Sequence, residues 1–483
     1  MKIGFDNEKY LKMQSEHIRD RINQFDNKLY LEFGGKLFDD FHASRVLPGF
    51  APDAKLRMLM QLSDQAEIVM AISAADIEKN KIRGDLGITY DSDVLRLIDE
   101  FRGRGLYVGS VVITQYSGQH SADAFKKRLQ KLGIPVYIHY TIPGYPHNVP
   151  LIVSDEGYGK NEYIETTRPL VVVTAPGPGS GKMATCLSQL YHEHKRGVNA
   201  GYAKYETFPI WNLPLKHPAY EAATADLNDV NMIDPFHLEA YGVTTVNYNR
   251  DVEIFPVLRA IFQQIFGESP YKSPTDMGVN MAGNCIIDDE ACREASRQEI
   301  IRRYYTAVDG IADGSRSETE AYKIELLMKQ ENIVAADRTT VSPALVRAEA
   351  TGAPAAAMEL PDGRVITGKT GDLLGSSAAL LLNALKELSG IDHDVHVLSP
   401  ESIAPIQTLK TKYLGSKNPR LHTDEVLIAL SATAAQSEDA QKALSCLPQL
   451  KGCQVHSSVM LSDVDRKMFQ RLGCDLTCEP KFQ

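Results

Sequence analysis

The sequence predicts an α/β protein with a mostly parallel, doubly wound sheet carrying a degenerate phosphate-loop-like (P-loop-like) turn, then a helical insert and a separate C-terminal α/β subdomain. Three observations carry this. Apolar runs at 28–33, 68–72, 107–114, 136–140 and 170–174 alternate with helical periodicity at 54–62, 94–101 and 122–132, and such alternation marks parallel sheets. Leu170 to Thr174 (LVVVT) is continuously apolar, as a strand covered on both faces should be, and leads into Gly177-Pro178-Gly179-Ser180-Gly181-Lys182. Residues 288–332 are then dominated by helix formers. A chain of 483 residues exceeds what one core usually serves. We therefore expect an α/β domain at 1–267, a helical linker domain at 268–335 and a C-terminal subdomain at 336–483.

Taken in order, the phosphate-type turn arrives with about the fifth strand, whereas a simple nucleotide-binding domain often places it after the first. The helix that follows opens at Gly181 with Ser180 as its expected cap. It presents Met183, Leu187, Leu190 and Tyr191 on one stripe and stops at Gly197 behind Lys195-Arg196. Strand-like 200–205 and 243–248 are separated by long loops rich in Pro, Asn, Asp and aromatics. Helices are expected at 290–307 and 318–329, then a hairpin at 355–360 and 364–367, and a Leu/Ala helix at 373–388. Further α/β alternation follows at 395–398, 425–434, 454–459 and 464–472.

Composition narrows the function classes. With 43% hydrophobic and 24% charged residues and a mean hydropathy of −0.24, no stretch is apolar enough to span a bilayer. The N-terminus turns acidic before any apolar segment develops, unlike a secretory signal, so a cytoplasmic location is expected. A net charge of −10 would repel a nucleic-acid backbone, so no nucleic-acid partner is expected. Seven scattered cysteines without a C-x-x-C pair read as reduced, buried thiols. The pairs His192/His194 and His393/His396 lack cysteine neighbours, so zinc is not expected. A chain this large with long aromatic loops is expected to form a homo-oligomer.

The pattern G-x-x-x-x-G-K-[ST] is broken twice at the turn: Pro176 replaces its first glycine and Met183 the hydroxyl residue that would hold magnesium. An unbroken match, GRVITGKT at Gly363 to Thr370, has a strand-like interior after a Pro361-Asp362-Gly363 turn. A hairpin strand spends its N–H groups in a ladder, so this perfect match is read as a decoy. At the broken match, Gly177, Gly179, Ser180 and Gly181 are the candidate phosphate cradle, and Lys182 is the phosphate-neutralising and catalytic lysine. The helix end adds roughly half a positive charge. Lys160 and Arg168, on the polar approach to the strand, are candidate additional phosphate-binding cations. ATP with Mg is the cofactor this points to, with Thr185, Asp226 and Asp229 as metal ligands and Asp234 as a catalytic acid or base. Lys204, Tyr205, Glu206 and Trp211 are a candidate substrate wall, and Ser273 to Gly283 a candidate lid.

The partner expected is a small phosphorylated ligand, with phosphoryl transfer or ATP-dependent ligation as the chemistry. A phosphorylated substrate in place of ATP fits the missing hydroxyl. The alternative is a non-catalytic interaction or scaffold protein with a structural glycine-rich turn.

The runs at Ser154 to Asn161 and at Glu165 to Glu193 (ETTRPLVVVTAPGPGSGKMATCLSQLYHE), with YETFPIWNLPLKHP and ATADLNDVNMIDPFHLEAYG, resemble an uncharacterised bacterial protein family over nearly the whole chain. The resemblance implies a multidomain α/β protein with a helical portion and a distinct C-terminal subdomain, and it supplies no activity. Some relatives have been called ATP-dependent peptidases, yet the H-E-x-x-H motif is absent here. The C-terminal hairpin–helix order is similar to cytidine-deaminase topology, without its zinc signature.

Overall fold

The five apolar runs become five of the six strands of one all-parallel sheet. The computed structural model describes residues 2–35, 37–38, 40–84, 86–223 and 229–482. The described residues form two compact units, one within 3–293 and one within 294–482 that also takes in residue 2. The central strands are β1 (Leu29–Phe33), β2 (Ala66–Ser73), β3 (Tyr107–Tyr116), β4 (Val136–Tyr140), β5 (Leu170–Thr174) and β6 (Gly201–Tyr205), in the spatial order β4-β3-β2-β5-β1-β6. All pairings are parallel. Leu170, Val171, Val172 and Val173 have no exposed surface, each burial stabilising by roughly 1.5–3 kcal/mol.

The order of strands places a switch point. From β2 the chain continues outward to β3, whereas from the adjacent β5 it crosses β1 to reach β6. Loops leaving in opposite directions open a crevice at the carboxyl ends of such strands, where ligands of open α/β sheets bind. The helices α1 (Asn7–Asn23), α2 (Tyr90–Gly103), α3 (His120–Lys131), α4 (Lys182–Lys195) and α5 (Asn249–Phe266) belong to this unit. A two-stranded antiparallel ribbon, β7 (Asn231–Ile233) with β8 (Val246–Tyr248), stands apart from the sheet.

The helix α6 (Asp289–Ala312) carries the chain onward, followed by α7 (Glu318–Gln330) and α8 (Val341–Thr351). The C-terminal sheet combines β9 (Ala355–Glu359), β10 (Val365–Lys369), β11 (Gln454–Ser457) and β12 (Asp475–Cys478) in the order β10-β9-β11-β12. Only β11 and β12 run parallel. Its core gathers Met358, Leu380, Leu381 and Leu385 of α9 (Ser376–Leu388), Leu430 of α10 (Thr423–Ala434), Val455, and Phe469 of α11 (Asp463–Arg471). The run 395–398, expected within the alternation, forms no strand. All seven cysteines are buried and free. Among the described residues no helix is long and apolar enough to cross a membrane.

Candidate functional site

The helix α4 is fastened before its N-terminus can do anything. Tyr30 donates to Glu193 Oε1 at 2.6 Å, and Gln189 donates to Tyr30 Oη at 3.1 Å and to the Ile164 carbonyl at 2.9 Å while accepting from the Ile164 amide. These buried bonds fix the helix against β1 and hold its first turn at the switch point.

Between β5 and α4 three side-chain bonds hold backbone carbonyls of the turn. Ser180 Oγ donates to the Gly177 carbonyl at 2.8 Å, Thr114 Oγ1 to the Ser180 carbonyl at 2.8 Å, and Gln115 Nε2 to the Gly179 carbonyl at 3.3 Å. Among the described residues, no acceptor meets the N–H groups of Gly177, Gly179, Ser180, Gly181, Lys182, Met183 or Ala184. The first helical turn always leaves such donors over, and left-handed backbone at Gly179 (φ +75°) and Gly181, alternating with other conformations, is the kind of turn in which successive amides form an anion-binding concavity. Gly181 (φ +82°) is the N-cap, and a Cβ there would lie 2.8 Å from Thr114 Oγ1. The Tyr90 hydroxyl lies over Gly177, where a Cβ would come within 2.3 Å of it. Ser180 is therefore not the expected cap: its hydroxyl braces the turn from inside, fully buried.

Lys182 is half-buried at the first helical position, with no ion pair among the described residues. Two other expected cations are elsewhere. Arg168 sits at the amino end of β5, the opposite edge of the sheet, where it donates to the carbonyls of Ser63 and Ala66 and lies 4.7 Å from the Tyr107 ring. Five strand residues separate it from the loop, about 17 Å of rise. Lys160 lies over the Tyr140 ring at 5.3 Å, beside β4 rather than the loop.

The carboxylates expected to bind metal or move protons have other work. Asp234 is fully buried: one oxygen caps the helix Pro235–Tyr241 through the Phe236 and His237 amides, and the other accepts from Thr275 at 2.7 Å. Asp229 pairs with Arg250 at 3.0 Å. Asp226 lies outside the described residues. Thr185 is buried, and its Oγ1 has no partner and no solvent access, so it offers nothing to accessible space above the loop. Among the described residues no group of three or more His, Cys, Asp or Glu side chains is arranged to hold a metal.

Met183 leads from the loop into a cleft of about 40 Å³, lined also by Lys204, Glu206, Phe208, Trp211 and Asp251. Lys204 Nζ pairs with both Asp251 oxygens, at 2.8 and 2.9 Å, and with Glu206 at 3.3 Å. Burial would lower the Lys204 ammonium, but Glu206 and Asp251 outweigh it and hold it well above its ordinary value. Trp211 donates to the Asn280 carbonyl at 2.7 Å. Of the expected substrate wall, Lys204, Glu206 and Trp211 line the cleft; Tyr205 points elsewhere and bonds Tyr10. From the expected lid, Pro274, Thr275, Met277, Gly278 and Asn280 form another wall, and the Val279 amide donates to the Lys204 carbonyl at 3.1 Å.

Sequence reading missed Thr114 and Gln115 at the end of β3, Tyr90 at the start of α2, and Glu32 in β1. Only Glu32 left a signal, as the single carboxylate inside LYLEF, a strand buried throughout.

The comparisons with known proteins agree over the full length. Residues 3–332 match the family described as domain of unknown function DUF1846, N-terminal, and residues 336–483 its C-terminal counterpart. This chain belongs to the DUF1846 family. It is 62% identical over 485 residues to UPF0371 protein DIP2346 of Corynebacterium diphtheriae, covering 100% of this chain and 98% of that protein. It is 58% identical to UPF0371 protein str1377 of Streptococcus thermophilus, with the same coverage of each chain. A UPF0371 protein of Corynebacterium aurimucosum is 60% identical, over 99% of this chain and 97% of its own. The first family boundary falls within four residues of 336, between α7 and α8 of this DUF1846 protein.

Proposed function

We propose that this protein binds the phosphate of a nucleotide or phosphorylated metabolite on the loop from Gly177 to Lys182, and that its chemistry is phosphoryl transfer or ligation. One observation carries the reading: seven amides without acceptors among the described residues, next to three carbonyls that are each held by a side chain. Lys182, Met183 and Ala184 are donors that any first helical turn leaves over, so what favours a ligand is that the amides of Gly177, Gly179, Ser180 and Gly181 join them while the carbonyls between are held by side chains. The helix dipole and the Lys182 ammonium add positive charge at the same spot. Its place at the switch point supports a ligand site on independent, topological grounds.

Within that reading the lack of free metal oxygens among the described candidates favours a phosphorylated metabolite over ATP with Mg. Met183 has no oxygen to give, Asp229 is paired, Asp234 is a cap and Thr185 is sealed. Titration calorimetry with sulfate, pyrophosphate and ADP, with and without Mg, tests this on the full chain. Binding of the anions without Mg is expected, and its loss in a folded Lys182→Ala variant. Equal binding by Lys182→Ala and wild type would sink the proposal and favour a scaffold role.

A further inference from the structure

Glu32 stands near the carboxyl end of β1, the end of the sheet from which the loop leaves β5. Glu32 has Val173 of β5 as its register partner on one side and Lys204 of β6 on the other. It therefore stands between the strand that delivers the loop and the strand that lines the cleft. Tyr202 donates to Glu32 Oε2 at 2.6 Å, and among the described residues no second donor bonds the carboxyl, which is 9% exposed.

The charged and titratable groups facing it come from each neighbouring element. Lys182 acts on it from α4, Lys204, Tyr202 and Glu206 from β6 and its exit, and Tyr145 from the loop after β4. Cys186, one turn below Lys182, is held protonated, first by burial and then by Glu32. β5 contributes nothing titratable. Burial favours the neutral carboxyl and leaves it above its ordinary range, while Lys204 and Lys182 pull it back down.

We infer that Glu32 is the proton-exchanging group of this site, taking up a proton when an anion settles on the loop and presenting it toward the bound ligand. The inference rests on the phosphate-binding reading above. An anion offsets the charge of Lys182, one of two cations that favour the ionised form of Glu32, and adds a like charge of its own. Both changes favour the protonated carboxyl. Once protonated, Glu32 turns from a group that repels an anion into a hydrogen-bond donor.

Sulfate is the probe, because it does not titrate near neutrality. Calorimetric titration of the full chain at a series of pH values upward from the ordinary carboxylate range, in buffers of different ionisation enthalpy, reads the protons taken up per anion bound. A substantial fraction of one proton is expected, with affinity rising as pH falls. Glu32→Gln should bind sulfate at least as tightly, with no uptake and a flattened pH profile. An infrared difference spectrum of the wild type should show a protonated-carboxyl band growing with sulfate, which needs no variant to fold. Sulfate binding without proton uptake, or unchanged uptake in Glu32→Gln, would overturn the inference and leave the loop's role intact. No sulfate binding by the wild type would overturn both.

Discussion

The segments Gly177 to Lys182 and Gly363 to Thr370 contain the same letters of one phosphate-binding pattern and satisfy their backbones in opposite ways. In the second, the complete match, Val365–Lys369 is β10 and pairs antiparallel with β9. The Gly363 amide donates to the Leu360 carbonyl at 2.9 Å and the Thr370 amide to the Pro354 carbonyl at 2.8 Å. Its donors on the β9 side are consumed by the ladder, and those on the other side alternate along an extended edge, where they cannot converge on one anion. In the first, the incomplete match, the carbonyls are consumed and the donors are left. What distinguishes an anion site from a hairpin is where the N–H groups end, and a pattern of residue types does not encode that.

The strongest way to break this contrast is to exchange the lysines. Lys182→Ala should weaken sulfate or pyrophosphate binding on the order of 100-fold, roughly 3 kcal/mol for a hydrogen bond to a charged group. Lys369→Ala, in the complete match, should leave the affinity unchanged. Calorimetry on both variants decides it. An effect of Lys369→Ala equal to that of Lys182→Ala would reverse the assignment of site and decoy.

A second test acts on the hairpin alone. A Cβ on Gly368 would meet the Leu380 backbone nitrogen at 2.2 Å, so that glycine serves the packing of α9. Gly368→Ala should cost roughly 2 kcal/mol by overpacking, seen as a lower denaturant midpoint, with no change in anion affinity.

How much of this was legible depended on distance along the chain. The strand at 170–174 and the helix that follows are specified by their own residues, and they lie where the pattern puts them. The helix α5 was not readable, since Pro256 interrupts its middle, and β12 is only four residues of mixed character. Arg168 was assigned to the loop because it is close in sequence, yet a strand converts that closeness into separation. Thr114 and Gln115 precede the loop by more than sixty residues in sequence, and only the parallel pairing of β2 with β3 and β5 brings them to it. Asp234 looked like a catalytic acid or base because the donor that holds its second oxygen, Thr275, comes from a distant segment.

That last reassignment gives the third test. Asp234→Ala removes a cap and leaves Thr275 without its acceptor, so it should cost about 1–2 kcal/mol of stability. Sulfate affinity of the folded variant should match wild type. A selective loss of binding at unchanged stability would restore Asp234 to the site.

The smallest effect should be the most discriminating. Gln115 holds a left-handed backbone, φ +53°, a conformation that costs a side chain energy and that glycine adopts freely. From there its amide group accepts from Ser73 Oγ at 3.0 Å and donates to the Gly179 carbonyl. If the strain exists to hold that carbonyl away from the anion, Gln115→Gly should relieve the strain while loosening the loop. Stability should then stay level or rise by about 0.5 kcal/mol, while anion affinity falls by roughly threefold, under 1 kcal/mol. Opposite signs in melting and in binding would mark a residue placed for the ligand. Losses in both would make Gln115 one more brace of the fold, and the contrast between the two segments would then rest on Lys182 and the amides alone.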